Sequence, residues 1–201
     1  MTLPNNIAIV ILAAGASSRM GQVKQLLPWE DTTLLGNAIR KAKASDANSV
    51  IVVLGANAES IRMEISESQI IIIENPIWAS GLGTSIARGT DFLIKNKNKP
   101  NGILVMLADQ PLIDTAYLNA MMAAFNPEQE MIIATAYENR AGVPALFSKD
   151  YYKKLITLDD DFGAKEIIDY QKENVMILDL KQKTVDIDTK KDYENLIKNL
   201  H

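Results

Sequence analysis

The chain contains no cysteine, and the only histidine among its 201 residues is the last one, His201. Without thiols there is no disulfide framework, iron–sulfur cluster, cysteine zinc site or thiol nucleophile within it. With one terminal imidazole, a Ser–His–Asp triad, an HExxH zinc helix and a histidine general base are poor starting hypotheses. Long apolar runs are missing too. The longest, Ile7 to Ala14, is far too short to cross a bilayer and no basic cluster precedes it, so no membrane partner is expected and the default location is the cytoplasm. Cations are not in excess: 21 Lys and Arg against 25 Asp and Glu give a formal charge of −4. Phosphate-backbone affinity needs the opposite balance, so no nucleic-acid partner is expected. Whatever chemistry the chain performs must come from carboxylates, Lys and Arg side chains and backbone amides.

What remains is the composition of an ordinary globular domain, 47% hydrophobic and 23% charged. A chain of this size buries roughly 70% of its surface in one core without staples, and residues 1–201 read as a single domain. Ile7 to Leu12 is a continuous, β-branched apolar run ending in Ala13, Ala14 and Gly15, the pattern of a strand buried on both faces. Ser49 to Leu54, closed by Gly55, repeats it, as do Ile70 to Ile73 and Ile103 to Leu107. Between them lie segments with helical spacing, Thr33 to Ser45 and Ser85 to Lys95. Asp114 reads as the N-cap of a helix carrying Tyr117, Leu118, Met121, Met122 and Phe125. The second half is less regular. Strands are expected at Met131 to Ala136, Pro144 to Phe147, Val175 to Leu178 and Thr184 to Ile187, and a helix at Gly163 to Tyr170. Thr189 with Asp192 forms a capping box for a final helix. The alternation implies βαβ units in an α/β/α sandwich with a mostly parallel sheet, its functional loops beyond the carboxyl ends of the strands.

Three of those loops carry candidate chemistry. Leu12 to Pro28, LAAGASSRMGQVKQLLP, puts small residues after a buried strand and adds two cations, Arg19 and Lys24. Small side chains let backbone N–H groups approach phosphate oxygens, and the cations neutralise a polyphosphate. It is neither a P-loop nor a GxGxxG fingerprint, and its spacing alone is equally compatible with a small-residue turn bearing solvated cations. Asp109 follows a buried strand and precedes Gln110 and Pro111. A carboxylate there suits Mg²⁺, which prefers oxygen ligands and shares substrate phosphates, although an Asp in a turn is common by itself. Asn75 to Ile86, NPIWASGLGTSI, passes two glycines into a helix whose free N–H groups and hydroxyls could meet a base edge or phosphate, or simply form an N-cap.

The first motif resembles the signature of the nucleotidyltransferases of the molybdenum cofactor family. Its LAAG start is closer to the cytidylyltransferase branch than to the guanylyltransferase branch, where LAGG is usual. The resemblance extends from about Ile7 to Asp192 and implies a Rossmann-like fold of the nucleotide-diphospho-sugar transferase type. It implies that Leu12, Ala13, Ala14 and Gly15 lie under the base and sugar, that Arg19 and Lys24 hold phosphates, and that Gly55, Gly83, Thr84 and Ser85 complete the nucleotide site. The Asp-Gln-Pro turn resembles the family's metal motif and places Mg²⁺ on Asp109. The Asp-Ile-Asp-Thr segment before the last helix offers Asp188 as second metal ligand, with Asp186 nearly as good. Acceptor contacts are implied for Trp78 and Gly81, for Gly142 and Pro144, and for Asp161, Gly163, Ala164 and Lys165. The last group matches a GDxGA pattern followed by Arg or Lys, except that Asp160 stands at the first glycine position.

The activity so implied is Mg²⁺-dependent transfer of CMP from CTP to the terminal phosphate of molybdopterin, releasing pyrophosphate, with Arg19, Lys24 and Asp109 catalytic. The nucleophile is already an anion at neutral pH, so no general base is obligatory. Further partners implied are an acceptor molybdoenzyme or its chaperone. The alternatives are a guanylyltransferase on molybdopterin, a cytidylyltransferase for a sugar or polyol phosphate, and, in a different class, a nucleotide-binding maturation factor without catalysis.

Overall fold

The computed structural model describes residues 5–65, 70–137, 140–161, 163–179 and 186–200. In chain order the elements are β1 (Ile7–Ala13), a two-rung hairpin β2 (Pro28–Trp29) and β3 (Thr32–Thr33), α1 (Leu34–Lys43), β4 (Ser49–Leu54), α2 (Ala58–Glu64), β5 (Ile71–Glu74), α3 (Leu82–Lys95), β6 (Gly102–Leu107), α4 (Thr115–Ala123), β7 (Ile132–Tyr137), β8 (Arg140–Ser148), α5 (Tyr152–Leu155), α6 (Lys165–Tyr170), β9 (Val175–Leu178) and α7 (Lys190–Leu200). Seven strands form one sheet in the order β5-β4-β1-β6-β8-β7-β9. Only β8 runs against its neighbours; every other adjacent pair is parallel. Helices cover both faces, as the strand–helix alternation predicts.

The uninterrupted apolar runs follow from that coverage. Along β1, Ile7, Ile9 and Ile11 pack on one face with Leu35, Ile39, Ile61 and Met121, while Ala8, Val10 and Leu12 pack on the other with Ile86, Leu93, Leu155 and Ile167. Because successive strand side chains point to opposite faces, a strand sandwiched between helical layers needs an apolar residue at every position. Helix starts obey local chemistry. The Asp114 carboxylate accepts from the Tyr117 N–H at 2.8 Å and the Thr33 hydroxyl accepts from the Gly36 N–H at 3.0 Å. Thr189 and Asp192 exchange reciprocal capping bonds, which hold the Asp192 carboxyl below its ordinary range.

The order of the central strands fixes where a ligand can sit. The chain leaves β1 toward β4 and β5, then crosses back to lay β6 on the other side of β1. At such a reversal the flanking connections diverge and leave a crevice beyond the carboxyl ends of the two strands. Those ends are Ala13 and Leu107, the points from which the small-residue loop and the Asp109 turn emerge.

Several elements differ from their sequence reading. Helix α3 begins at Leu82 rather than Ser85, so Gly83 lies inside it, and α6 begins at Lys165 rather than Gly163. Strand β8 runs from Arg140 rather than Pro144. Neither the two-residue strands β2 and β3 nor the short helices α2 and α5 carry enough periods to register as a pattern. Of the strand expected at Thr184 to Ile187, Thr184 and Val185 lie outside the described residues, and Asp186 and Ile187 form no strand. No described helix is long and apolar enough to cross a membrane.

Candidate active site

Beyond β1 and β6 lies a cavity of about 300 Å³ lined by Leu12, Ala13, Ala14 and Gly15 on one side, Leu107, Ala108 and Asp109 on the other, and Arg19, Lys24 and Asp188 across its mouth. The loop that builds one wall is held by a side chain that the motif reading passed over. Gln25, buried in a short 3₁₀ turn (Lys24–Leu26), donates from Nε2 to the carbonyls of Ala13 and Gly15, both at 2.9 Å. The Ser17 hydroxyl in turn donates to Gln25 Oε1 at 3.2 Å and accepts from the Lys24 N–H at 3.1 Å. Two carbonyls of the loop are thus tied back to one amide, which fixes the path on which Arg19 and Lys24 are mounted. The signal available in sequence was an uncharged polar residue between Lys24 and the apolar pair Leu26 and Leu27.

Two acidic residues converge here from distant parts of the chain. Lys24 Nζ forms an ion pair with Asp109 Oδ2, lies 3.6 Å from Asp188 Oδ1 and donates to the Ile187 carbonyl at 3.2 Å. Arg19 reaches the same Asp188 oxygen at 3.7 Å from an exposed position. The C-terminal segment is anchored to the Asp109 turn by the Ile187 N–H, which donates to the Asp109 carbonyl at 3.1 Å. Ile187 itself is fully buried with Met20, Leu27, Trp29, Leu34 and Leu196, a cluster that clamps the loop after β1, the hairpin, α1 and α7 around the cavity.

The donor set fits a hard divalent cation. Asp109 Oδ1 is buried and has no hydrogen-bond partner among the described residues, although its sister oxygen is paired with Lys24. An orphaned carboxylate oxygen beside this cavity is costly unless something else engages it. Asp109 and Asp188 would be the carboxylates to hold such an ion, which takes oxygen ligands and shares them with phosphates and water. Asp186 stands apart. Its Oδ1 accepts from Gln110 Nε2 at 2.8 Å, and it lines a second cleft of about 100 Å³ with Gln110, Tyr137, Arg140, Gly142, Val143, Ala164 and Lys165. Burial pushes its carboxyl above the ordinary range, the Gln110 bond opposes that, and the charges of Asp109 and Asp188 add to it. The two cavities share Leu82 and Leu107 as a common wall.

The remaining sequence candidates fall in three places. Gly142, Ala164 and Lys165 line the second cleft, with Gly163 just before Ala164, and buried Pro144 just beyond Val143. Gly55 abuts the loop after β1 from behind: a Cβ there would meet Trp78 Cβ at 2.5 Å and Ala14 Cβ at 2.8 Å. Trp78 is thereby packed against the back of the loop. Thr84 and Ser85 turn inward instead of toward the 300 Å³ cavity; both hydroxyls accept from the buried Asn75 amide, at 2.8 and 3.0 Å. Asn75 also accepts from the Ile77 N–H at 3.1 Å, so one side chain ties β5 to the start of α3. Asn75→Ala is therefore expected to cost about 2–3 kcal/mol of stability by stranding buried hydroxyls and an amide, measurable by urea denaturation.

Gly81 and Gly83 accept a close approach from the loop that ends in Asp161. The Gly83 N–H donates to the Asp160 carbonyl at 2.8 Å. That contact uses main-chain atoms only, and Asp160 does not have positive φ. An aspartate in place of the pattern's glycine is accommodated for that reason. Missed altogether in sequence were Gln110, Tyr137 and Arg140, whose roles arise only where β6, β7 and β8 meet.

Residues 9–175 match the family model for the MobA-like NTP transferase domain. The chain is 29% identical over 191 residues to nicotine blue oxidoreductase of Paenarthrobacter nicotinovorans, covering 90% of this chain and 91% of that protein. It is 42% identical over 81 residues to molybdenum cofactor cytidylyltransferase of Escherichia coli K12, a match covering 40% of this chain and 42% of that protein. Among solved structures, Rv0371c of Mycobacterium tuberculosis H37Rv superposes with a TM-score of 0.82 at 29% identity, over 98% of this chain and 100% of that one. A second structure of Rv0371c is a complex with manganese, with a TM-score of 0.79 at 27% identity over the same shares.

Proposed function

The chain belongs to the MobA-like NTP transferase domain family, a family of nucleotidyltransferases, and from that premise we propose that it is a cytidylyltransferase that moves CMP from CTP to the terminal phosphate of molybdopterin. The observation that carries this reading is the convergence of Arg19, Lys24, Asp109 and Asp188 on one cavity where the sheet order reverses. In the step itself an oxygen of the acceptor phosphate forms a bond to the α-phosphorus of CTP. The bond from that phosphorus to the bridging oxygen breaks, and its electron pair leaves with pyrophosphate. No proton need move, so the protein's work is positioning and charge compensation. Lys24 and Arg19 face the triphosphate, and the backbone from Leu12 to Gly15 supports base and sugar. When bound, a divalent ion held by Asp109 and Asp188 supplies electrostatic stabilisation of the phosphates; Mg²⁺ is the proposed ion. Ala14 lines the cavity.

Purified protein incubated with Mg²⁺, molybdopterin and each NTP in turn should release pyrophosphate with CTP at least tenfold more efficiently than with GTP. A preference for GTP would make it a guanylyltransferase, and release only with a polyol phosphate would move the acceptor. Nucleotide binding without release from any acceptor would favour a non-catalytic maturation factor. The relative named as an oxidoreductase, matched over 91% of its length, motivates a second reading, in which this chain acts on nicotine blue. Reduction or oxidation of nicotine blue, followed by its absorbance, with no pyrophosphate release from any NTP would establish that one. Lys24→Ala is expected to raise the KM for CTP about tenfold or more, read from initial rates; unchanged CTP kinetics would remove Lys24 from the phosphate site.

A further inference from the structure

The two carboxylates of the candidate cation site already face a cation, and it belongs to the chain. Lys24 Nζ lies among three protein oxygens: it is ion-paired with Asp109 Oδ2, donates to the Ile187 carbonyl at 3.2 Å and stands 3.6 Å from Asp188 Oδ1. An ammonium has three N–H donors and no acceptor, so it acts here as a compact point charge between Asp109 and Asp188. The seat is enclosed, with the Lys24 and Asp109 side chains 18% and 14% exposed. Arg19 meets the same Asp188 oxygen from outside at 3.7 Å, so the two carboxylates are matched by two cations before any ligand arrives. The backbone beneath Lys24 is pinned. Its N–H donates to the Ser17 hydroxyl at 3.1 Å, and the neighbouring Gln25 holds the carbonyls of Ala13 and Gly15. The flexible four-carbon stem lines the cavity and can swing into it without moving the loop.

Resting on the reading of this cavity as a nucleotide and metal site, we propose that Lys24 is a tethered occupant of the cation seat. Its ammonium sits between Asp109 and Asp188 in the free protein, and the phosphates of an incoming nucleoside triphosphate draw it out before the carboxylates take a divalent ion. Lys24 cannot serve both places at once. Seated, it neutralises the carboxylates; drawn out, it meets the phosphates. A divalent ion entering the occupied seat would lie against a like charge that holds the same oxygens, so the seat stays closed until the ammonium leaves. A triphosphate carries more negative charge than one carboxylate and offers oxygens to all three ammonium donors, which makes it the better partner. The departure of Lys24 bares Asp109 Oδ2 beside Oδ1, which is buried without a partner among the described residues. One event thus brings in the nucleotide's oxygens and frees those of the protein. Affinity for the ion falls by the fraction of time the seat is open, so a tenfold reduction needs Lys24 seated about nine-tenths of the time.

The test titrates Mn²⁺ into the 201-residue chain without nucleotide, followed by electron paramagnetic resonance. Lys24→Met, which keeps an unbranched stem and removes the charge, is expected to bind Mn²⁺ at least about tenfold more tightly than the unsubstituted chain. Adding Asp109→Asn to it should abolish the gain. Lys24→Gln, which leaves a donor facing Asp109, repeats the measurement should Lys24→Met fail to fold. A second readout follows the ammonium itself, through its ¹⁵N resonance in protein labelled at lysine, identified by its loss in the variants. The α,β-methylene analogue of CTP, added with a chelator, should shift that resonance, whereas stoichiometric Mg²⁺ alone should not. Unchanged Mn²⁺ affinity in both Lys24 variants, a gain that survives Asp109→Asn, or a resonance that Mg²⁺ alone moves or that no nucleotide moves would each overturn the proposal. The Mn²⁺ gain together with a shift given by the GTP analogue and not by that of CTP, or in a protein that releases no pyrophosphate from CTP, would uphold the seat and remove the cytidylyltransferase reading instead.

Discussion

Asp109→Asn should retain the fold and lose the proposed cytidylyl transfer by about 10²–10³-fold, the loss typical of removing one preorganised electrostatic contact to a transition state. The substitution is isosteric, so packing beyond β6 is unchanged. What disappears is the negative charge. Asp109 Oδ1 is buried without a partner among the described residues while Oδ2 pairs with Lys24, and an amide in that place holds a divalent ion far less well. Folding stability should fall by no more than about 1–2 kcal/mol, because Lys24 keeps Asp188 at 3.6 Å and the Ile187 carbonyl at 3.2 Å. Pyrophosphate release at saturating Mg²⁺, paired with Mn²⁺ titration followed by electron paramagnetic resonance, measures both consequences. Full turnover in the variant would show that the ion, if needed at all, is held elsewhere.

Gly81→Ala carries the largest expected effect on stability, a loss of about 2–4 kcal/mol. Two terms add. Gly81 has φ +123° and ψ 168°, a region closed to L residues by their own Cβ. A Cβ placed there would also meet the carbonyl carbon of Asp160 at 2.5 Å and the Asp161 nitrogen at 2.6 Å. Those atoms are backbone, so relief requires shifting the loop that leads into α6 and the second cleft. Gly21→Ala separates the terms. Gly21 also has positive φ, +68°, but nothing lies within 4 Å of the place its Cβ would take, so about 1 kcal/mol is expected there. Urea denaturation of the two variants gives the difference directly. If both lose the same amount, the contact between the Asp160 loop and the start of α3 contributes nothing.

Much of the architecture was legible because its signals are local. Strands β4 and β9 match their apolar runs residue for residue, Asp114 caps α4 as its position before the periodic segment demanded, and Thr189 and Asp192 form the capping box their spacing specified. Each is decided by neighbours within one turn or one strand, where periodicity and hydrogen-bonding capacity are properties of a few consecutive side chains. The small-residue loop and its two cations were legible in the same way.

Which side chain faces which cavity was not local. Asp186 and Asp188 are separated by one residue and are alike in chemistry, yet one accepts from Gln110 across 76 residues of chain and the other faces Lys24 and Arg19. The outcome is set by burying Ile187 between the loop after β1, the hairpin and α7, which fixes the rotation of the segment about its axis. Gln25 and Gln110 carry no motif of their own, and Thr84 and Ser85 look like ligand contacts until Asn75 is found beneath them. Sequence by itself thus determined most of the sheet strands and longer helices and the sheet type. Only tertiary structure decided how the carboxylates divide between two adjoining cavities, because that division depends on which apolar side chain wins a buried position among segments distant in the chain.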